Sequence, residues 1–117
     1  MNQDSAFFIG KTHQICQDYA CHGLNPQNGQ GYTIVCDGCS SSPHTDFGSR
    51  ILSIAVQKEL DRLAKFKQGL TFFNEELCIY TALPIVKSLG LPEESLDATA
   101  LFISAQKGDG VVLAFGD

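Results

Sequence analysis

Three carboxylates follow apolar segments of this chain, and their spacing is the pattern best suited to chemistry. Asp18 follows a strand-like segment, Asp37 ends a β-branched apolar run just before Gly38, and Asp117 ends a later apolar run. Carboxylates at strand ends can converge above one edge of a sheet, where hard oxygen ligands suit Mg²⁺ or Mn²⁺ rather than Zn²⁺. Two such ions about 4 Å apart can activate a bridging water for attack on phosphorus. The sequence therefore predicts a metal site from these carboxylates and the Gly38 carbonyl, with Asp18 and Asp37 catalytic.

Each of these motifs also has a simpler interpretation when it is taken alone. An Asp-Gly pair after a strand is most often a turn. Asp18 alone would be a solvated carboxylate, and Asp117 alone would be a frayed terminus. The order of the three motifs, and the elements between them, are what favour one shared site.

Strands are predicted to carry the first two carboxylates into place. Residues 32–36 are β-branched and apolar and are bounded by glycines, which predicts a buried strand leading to Asp37. Two earlier strands are predicted over residues 5–10 and 14–21. Residues 22–31 are rich in Gly, Asn, Pro and Gln, which predicts a loop.

A pair of helices is predicted to follow. The first begins at Thr45 or Asp46, because apolar residues then recur at helical spacing up to a stop at Gly69. This apolar stripe consists of Ile51, Leu52, Ala55, Val56, Leu60, Leu63 and Ala64. A second helix is predicted over residues 71–89, and Pro84 is expected to kink or split it.

Two more strands complete the predicted order of elements. They cover Ala98–Gln106 and residues 111–115, and residues 107–110 between them have Asp-Gly hairpin chemistry. Strands on both sides of a helical pair predict an α+β layered domain. An apolar strand at the end of a domain has an unprotected edge. We therefore expect residues 1–117 to be a single, truncated domain, or one that pairs its terminal strand with another chain as a homo-oligomer.

Composition excludes several classes of protein. The 117 residues fit one domain, and the formal charge of −5 argues against a nucleic-acid partner. The N-terminus lacks the basic and apolar regions of a signal peptide, and no apolar run approaches the ~20 residues of a membrane span. A cytoplasmic protein without a membrane partner is expected. The odd count of five cysteines favours reduced thiols.

Four of the cysteines offer an alternative, a structural zinc site. Cys36 and Cys39 have the spacing of a zinc knuckle, but Cys16 and Cys21 do not. Cys36 falls inside the predicted buried strand, where a small core residue is the simpler interpretation. A Cys36–Cys39 redox pair is disfavoured as well, because no helix begins between the two to lower a thiol pKa.

Four segments, taken in order, carry a resemblance to a known family. They are residues 13–18 (His-Gln-Ile-Cys-Gln-Asp), 35–42 (Val-Cys-Asp-Gly-Cys-Ser-Ser-Ser), 97–100 (Asp-Ala-Thr-Ala) and 114–117 (Ala-Phe-Gly-Asp). The chain resembles PP2C-type metal-dependent protein serine/threonine phosphatases, in particular their divergent bacterial branch. The resemblance covers about the first half of a family domain. It implies a layered β-sandwich flanked by helices.

The resemblance also implies roles for individual residues. Asp37 would bridge two Mn²⁺ or Mg²⁺ ions, the Gly38 carbonyl would bind one of them, and Asp18 would hold metal-bound water. Asp117 would support an auxiliary metal. Gln17 stands where the family often has Glu. The implied substrate is a phosphorylated protein, cleaved by metal-activated water without a covalent intermediate.

The chain departs from the family pattern at two positions near this site. His13 replaces the Arg that grips phosphate, and an imidazole has no bidentate fork. Cys39 replaces a His that is a candidate general acid in relatives. The family's two late Asp ligands have no counterpart in these 117 residues, so weak metal binding and little turnover are expected of this chain alone.

Phosphate binding and a second function class follow from the same residues. His13, Ser40 and Arg50 are the candidates for contact with a phosphate, Ser40 through its hydroxyl or N–H near a helix start. The second hypothesis is a non-catalytic module with this fold that binds a phosphoprotein or pairs with another chain.

Overall fold

The strands and helices are grouped rather than alternating, as in an α+β domain. The computed structural model describes residues 2–6, 8–9, 11, 15–106 and 109–116. Their order is β1 (Tyr19–Leu24), β2 (Gly31–Gly38), α1 (Thr45–Lys65), a first 3₁₀ turn (Leu70–Phe72), α2 (Glu75–Ser88), a second 3₁₀ turn (Glu93–Leu96), β3 (Ala98–Gln106) and β4 (Asp109–Gly116). The predicted α+β class is confirmed.

The four strands form one antiparallel sheet in the order β1-β2-β3-β4. Cys36 of β2 pairs with Tyr19 of β1 on one side and with Ala100 of β3 on the other. Phe102 of β3 pairs with Leu113 of β4. The central strands β2 and β3 are therefore neighbours, although both helices lie between them in the sequence.

One face of the sheet packs on the helices and the other is exposed. In β3, buried and exposed residues alternate, as the period of a strand requires. The buried face includes Ile34, Cys36, Ala98, Ala100 and Phe102, which join the helical residues Ile51, Leu52, Ala55, Val56, Leu60, Cys78, Ala82 and Val86 in one core. The outer face, by contrast, presents Val35, Leu101, Ile103 and Val112 at 42, 39, 44 and 60% exposure.

Helix α1 begins and buries its stripe much as predicted. His44, in a left-handed conformation with φ 58°, precedes its first residue, Thr45. The predicted apolar residues are buried except Ala64, which is half-buried. Gly48 lies so close to the second 3₁₀ turn that an added methyl would overlap the Ser95 carbonyl oxygen. Close approach therefore fixes the glycine at this crossing.

Helix α2 starts later than predicted, and Pro84 does not split it. The predicted start at Thr71 falls in the first 3₁₀ turn. Asn74 instead caps the helix, because its side-chain oxygen accepts hydrogen bonds from the N–H groups of Glu76 (3.0 Å) and Leu77 (3.4 Å). The helix then continues through Pro84 to Ser88.

No helix among the described residues has both the length and the apolar character of a bilayer-spanning segment.

The N-terminal part differs most from the prediction. The described residues of the predicted strand 5–10 lie outside any strand, and the sheet formed by the described residues begins with β1. Side chains hold this segment instead: Gln3 donates to the Tyr32 carbonyl (3.0 Å), and the Ser5 hydroxyl contacts His22 Nδ1 (2.8 Å). The strand predicted over residues 14–21 starts later than expected: β1 begins at Tyr19, so Asp18 precedes a strand rather than following one. Strand β1 then extends to Leu24 and shortens the predicted loop to residues 25–30.

The terminal hairpin is confirmed as a pairing of β3 with β4. Gln106 pairs with Asp109. Residues 107–108, part of the predicted turn, lie outside the described part of the chain. The strand after the turn is longer than the predicted 111–115, since it begins at Asp109.

Candidate functional site

A cavity of 370 Å³ lies where the end of β2 meets the segment before β1. It is lined by Phe8, Ile15, Cys16, Gln17, Asp18, Asp37, Gly38, Cys39 and Ser40. Three of the predicted metal ligands, Asp18, Asp37 and Gly38, thus border the same space. Ser40, a predicted phosphate contact, lies in the same wall.

The backbone brings the two acidic segments together. Tyr19 pairs with Cys36, and the chain before Tyr19 continues beside the end of β2. A Cβ atom on Gly38 would lie 2.6 Å from the Gln17 carbonyl oxygen. The side-chain Nε2 of Gln17 also donates to the Cys39 carbonyl at 3.4 Å. Asp18 and Asp37 are therefore brought to the cavity by adjacent stretches of backbone.

Hydrogen bonds from the first turns of α1 hold this arrangement. Gln17 Nε2 donates to Thr45 Oγ1 (2.8 Å), and Thr45 Oγ1 donates to the Cys39 carbonyl (3.0 Å). Ser49 Oγ donates to the Gln17 carbonyl at 2.6 Å. Thr45 and Ser49 are 1% and 0% exposed. The Gln17 side chain, which also lines the cavity, is thus tied to the helix.

Asp97 fastens the serine-rich loop from the other side. Its carbonyl accepts from the Cys39 N–H (2.8 Å), and its carboxylate accepts from the Ser42 hydroxyl (2.6 Å). The Ser42 N–H donates to the Cys39 carbonyl at 3.3 Å. These groups of Ser42 are engaged within the protein, which leaves Ser40 as the loop serine in the cavity wall.

Asp37 borders a second hollow as well. This hollow has a volume of 270 Å³ and is lined by Asp37, Gly38, Cys39, Asp97, Ala98 and Thr99. Asp37 pairs with Thr99 across β2 and β3 and is exposed. A carboxylate between two open hollows is placed to contact a group in either one.

Of the remaining predicted site residues, Arg50 is described, and it does not line the cavity. Arg50 lies on α1, with its guanidinium carbon 4.6 Å from the centre of the Tyr19 ring, a cation–π contact. Tyr19 follows Asp18 in the chain, so Arg50 is near the site without lining it. His13 and Asp117 lie outside the described residues.

Metal-binding geometry is incomplete in the described ranges. There, no three His, Cys, Asp or Glu side chains are gathered closely enough to hold a metal ion. This also argues against the four-cysteine zinc site: Cys36 is fully buried in the core, and Cys21 accepts a hydrogen bond from Gln57 at 3.2 Å. Asp18, Asp37 and the Gly38 carbonyl remain as some, but not all, of the oxygen ligands that a metal ion needs.

The thiols differ in their electrostatic surroundings. Burial raises the pKa of Cys36 to about 12 and also raises the pKa of Cys21. The pKa of Cys39 is lowered, chiefly by its hydrogen bond with the Ser41 hydroxyl at 3.1 Å. Cys39 therefore carries more thiolate at neutral pH than the buried thiols.

Sequence reasoning missed three residues that position the site. Thr45 and Ser49 are four residues apart on α1, and both are buried. Two polar residues at i and i+4 on the apolar side of an amphipathic helix indicate a buried polar contact, and this sequence signal could have identified them. Asp97 opens the 97–100 segment of the resemblance, but its contact with Ser42 spans 55 residues of sequence and has no local signal.

Comparison with known proteins finds no match for this chain. No protein-family model matches the chain, and no curated protein or solved structure matches it either. A function is therefore inferred from the cavity and the residues that line it.

Proposed function

We propose that this chain carries part of the site of a PP2C-type metal-dependent protein phosphatase. The observation that carries the proposal is that Asp18, Asp37 and Gly38 border one cavity at the end of a central strand. In this proposal the two carboxylates and the glycine carbonyl hold Mn²⁺ or Mg²⁺. The metals would supply an activated water that attacks a phosphoserine or phosphothreonine ester.

The donor chemistry supports the hard cations named. Two carboxylates and a carbonyl are oxygen ligands, which suit Mg²⁺ and Mn²⁺. They fill only part of the six positions that such ions prefer, so water and further carboxylates must supply the others. Binding by these 117 residues alone is accordingly expected to be weak.

The exposed face of the sheet supports the proposed sandwich. A β-sandwich needs a second sheet packed about 10 Å from the first, with apolar side chains between them. Val35, Leu101, Ile103 and Val112 make such an apolar face on the side away from the helices. Asp37 lies on the strand of Val35, two residues further along and on the same face.

Manganese binding tests the site. We expect titration with Mn²⁺, followed by electron paramagnetic resonance, to show binding that weakens at least about tenfold in Asp37→Asn. Asp61→Asn is the matched control, because Asp61 is an exposed carboxylate on α1 away from the cavity and the two variants lose the same charge. Equal Mn²⁺ binding by Asp37→Asn and the native chain would exclude Asp37 as a ligand.

A non-catalytic module is the second candidate. The observation that favours it is the engagement of Gln17 with Thr45 and Cys39, at the position where relatives often have a metal-linked Glu. Release of phosphate from a phosphoserine peptide separates the two candidates. Phosphate release, however slow, that depends on Mn²⁺ and is lost in Asp37→Asn supports the phosphatase, whereas binding of the intact phosphopeptide that persists without Mn²⁺ and in Asp37→Asn supports the module.

A further inference from the structure

Two cysteines line the cavity. Cys16 lies two residues before Asp18, and Cys39 lies two residues after Asp37; both line the 370 Å³ cavity. The β1–β2 register pairs Tyr19 with Cys36. Extended by three residues in the antiparallel sense, the same register sets Cys16 opposite Cys39.

Contacts beyond the last paired residues show that the two segments stay side by side. A Cβ on Gly38 would be 2.6 Å from the Gln17 carbonyl oxygen. The side-chain Nε2 of Gln17 donates to the Cys39 carbonyl at 3.4 Å. Neighbouring strands run about 4.7–4.9 Å apart. A disulfide joins Cα atoms that are usually about 4.4–6.8 Å apart. The spacing of adjacent strands therefore suits a bridge between Cys16 and Cys39.

Neither thiol is part of the core. Cys39 is exposed and Cys16 is half-buried, whereas Cys36 and Cys78 are fully buried. The Cys16 sulfur makes one long contact, 3.7 Å to the Asp18 carbonyl, and the Cys39 sulfur contacts the Ser41 hydroxyl at 3.1 Å. A change of side-chain rotamer is enough to turn either sulfur away from such contacts.

We propose that Cys16 and Cys39 form a reversible disulfide across this cavity, with hydrogen peroxide as the oxidant. The exposed Cys39 thiol attacks one peroxide oxygen, the O–O bond breaks, and a sulfenic acid and one water form. The Cys16 thiol then attacks the Cys39 sulfur, and the hydroxyl leaves with the thiol proton as a second water. Two thiols and one peroxide thus give one disulfide and two waters. A small thiol reverses the bridge by exchange.

The bridge would close the cavity that Asp18 and Asp37 border. It would tie the backbone before β1 to the backbone after β2 and place two sulfurs between the carboxylates and solvent. Oxidation would then hinder entry of a metal ion. This consequence rests on the proposed function, whereas the bridge itself does not.

Peptide mapping tests the bridge directly. The native chain is treated with hydrogen peroxide, its remaining thiols are alkylated with iodoacetamide, and it is cleaved before each Asp. Cys16 then lies in fragment 4–17, Cys39 in fragment 37–45, and both Cys21 and Cys36 in fragment 18–36. We expect fragments 4–17 and 37–45 to be joined, with a mass lower than their sum by two hydrogen atoms, and to separate after dithiothreitol treatment.

Two variants sharpen this test. Cys16→Ser is expected to abolish the linked fragment, while Cys21→Ser retains it, because Cys21 lies outside the cavity. Circular dichroism before and after oxidation checks that the fold persists. A link from 37–45 to 18–36, or recovery of both fragments unlinked with Cys39 oxidised to sulfinic acid, overturns the proposal.

Manganese titration separates the bridge from its consequence. If both proposals hold, the oxidised chain binds Mn²⁺ at least about tenfold more weakly than the reduced chain. A linked fragment with unchanged Mn²⁺ binding would retain the bridge and count against the metal site. An unlinked chain whose Mn²⁺ binding still depends on Asp37 would retain the metal site and remove the bridge.

Discussion

Position 38 is occupied by glycine because there is no room for a side chain. A Cβ there would lie 2.6 Å from the Gln17 carbonyl and 3.0 Å from both Ser49 Oγ and Thr45 Cβ. Backbone and buried side chains thus surround the position. The close approach that brings Asp18 beside Asp37 depends on the missing side chain.

Substitution of Gly38 by alanine is expected to separate the two acidic segments. The added methyl would overpack the junction and lower the free energy of unfolding by about 1–3 kcal/mol. Urea denaturation measures this change. Gly69→Ala is the control, because its nearest neighbour would be Thr71 Oγ1 at 3.9 Å. The control is expected to be neutral or slightly stabilising, and equal destabilisation of both variants would contradict the argument from crowding.

At the scale of elements, Glu59 joins the two helices. It is 4% exposed on α1, and its carboxylate accepts from Arg62 Nε (2.5 Å) and Nη2 (3.0 Å). The same carboxylate accepts from the Asn74 N–H, at 2.7 Å, one residue before α2 begins. The side chain therefore fixes where the second helix starts relative to the first.

We expect Glu59→Gln to loosen this junction. The amide keeps one acceptor oxygen but faces the Arg62 guanidinium with an N–H₂ group, so about 1–3 kcal/mol of stability would be lost. Urea denaturation monitored by circular dichroism measures the loss. Asp61→Asn, an exposed change on the same helix, is expected to stay within about 0.5 kcal/mol. A similar loss in both variants would show that charge, rather than this junction, is responsible.

The elements that the sequence predicted best are those whose pattern lies within a single segment of the chain. The apolar stripe of α1 and the alternating strand β3 were confirmed, since each pattern is complete within its own segment. The strand predicted at residues 5–10 was wrong for its described residues 5, 6, 8 and 9, which form no ladder although β1 has an open edge, so an apolar run alone does not specify a strand. The start of α2 was placed too early because the cap at Asn74 was not recognised.

The candidate site was predictable only in part for the same reason. Asp37 and Gly38 follow a strand that patterning identified, and Asp18 was placed near them by the order of motifs. Contacts such as Ser49 with Gln17, which spans 32 residues, depend on how α1 crosses the sheet. No local pattern specifies that crossing.

On the scale of the whole molecule, the described helices cover one side of the sheet and leave apolar residues exposed on the other. The helices pack on the inner face, and the outer face exposes Val35, Leu101, Ile103 and Val112. Contiguous exposed apolar surface of this kind commonly marks an interaction site or an association-prone face. The formal charge of −5 opposes self-association without removing the apolar surface.

We expect the isolated chain to self-associate through this outer face as its concentration rises. The double variant Leu101→Thr, Ile103→Thr keeps residues that favour strands and should remain monomeric in sedimentation velocity at concentrations where the native chain associates. Tyr80→Gln is the control, because Tyr80 is 67% exposed on α2, away from the sheet. Unchanged association in the double variant would place the contact elsewhere.

The pairing of β2 with β3 has a consequence during synthesis. The ribosome completes β2 first and must then make residues 39–97, both helices included, before β3 exists. At about 5–20 residues per second, that interval lasts roughly 3–12 s. Throughout it, β1 can protect one edge of β2, while the edge destined for β3 has no native partner. The centre of the finished sheet is thus the part of the nascent chain left unpaired for longest.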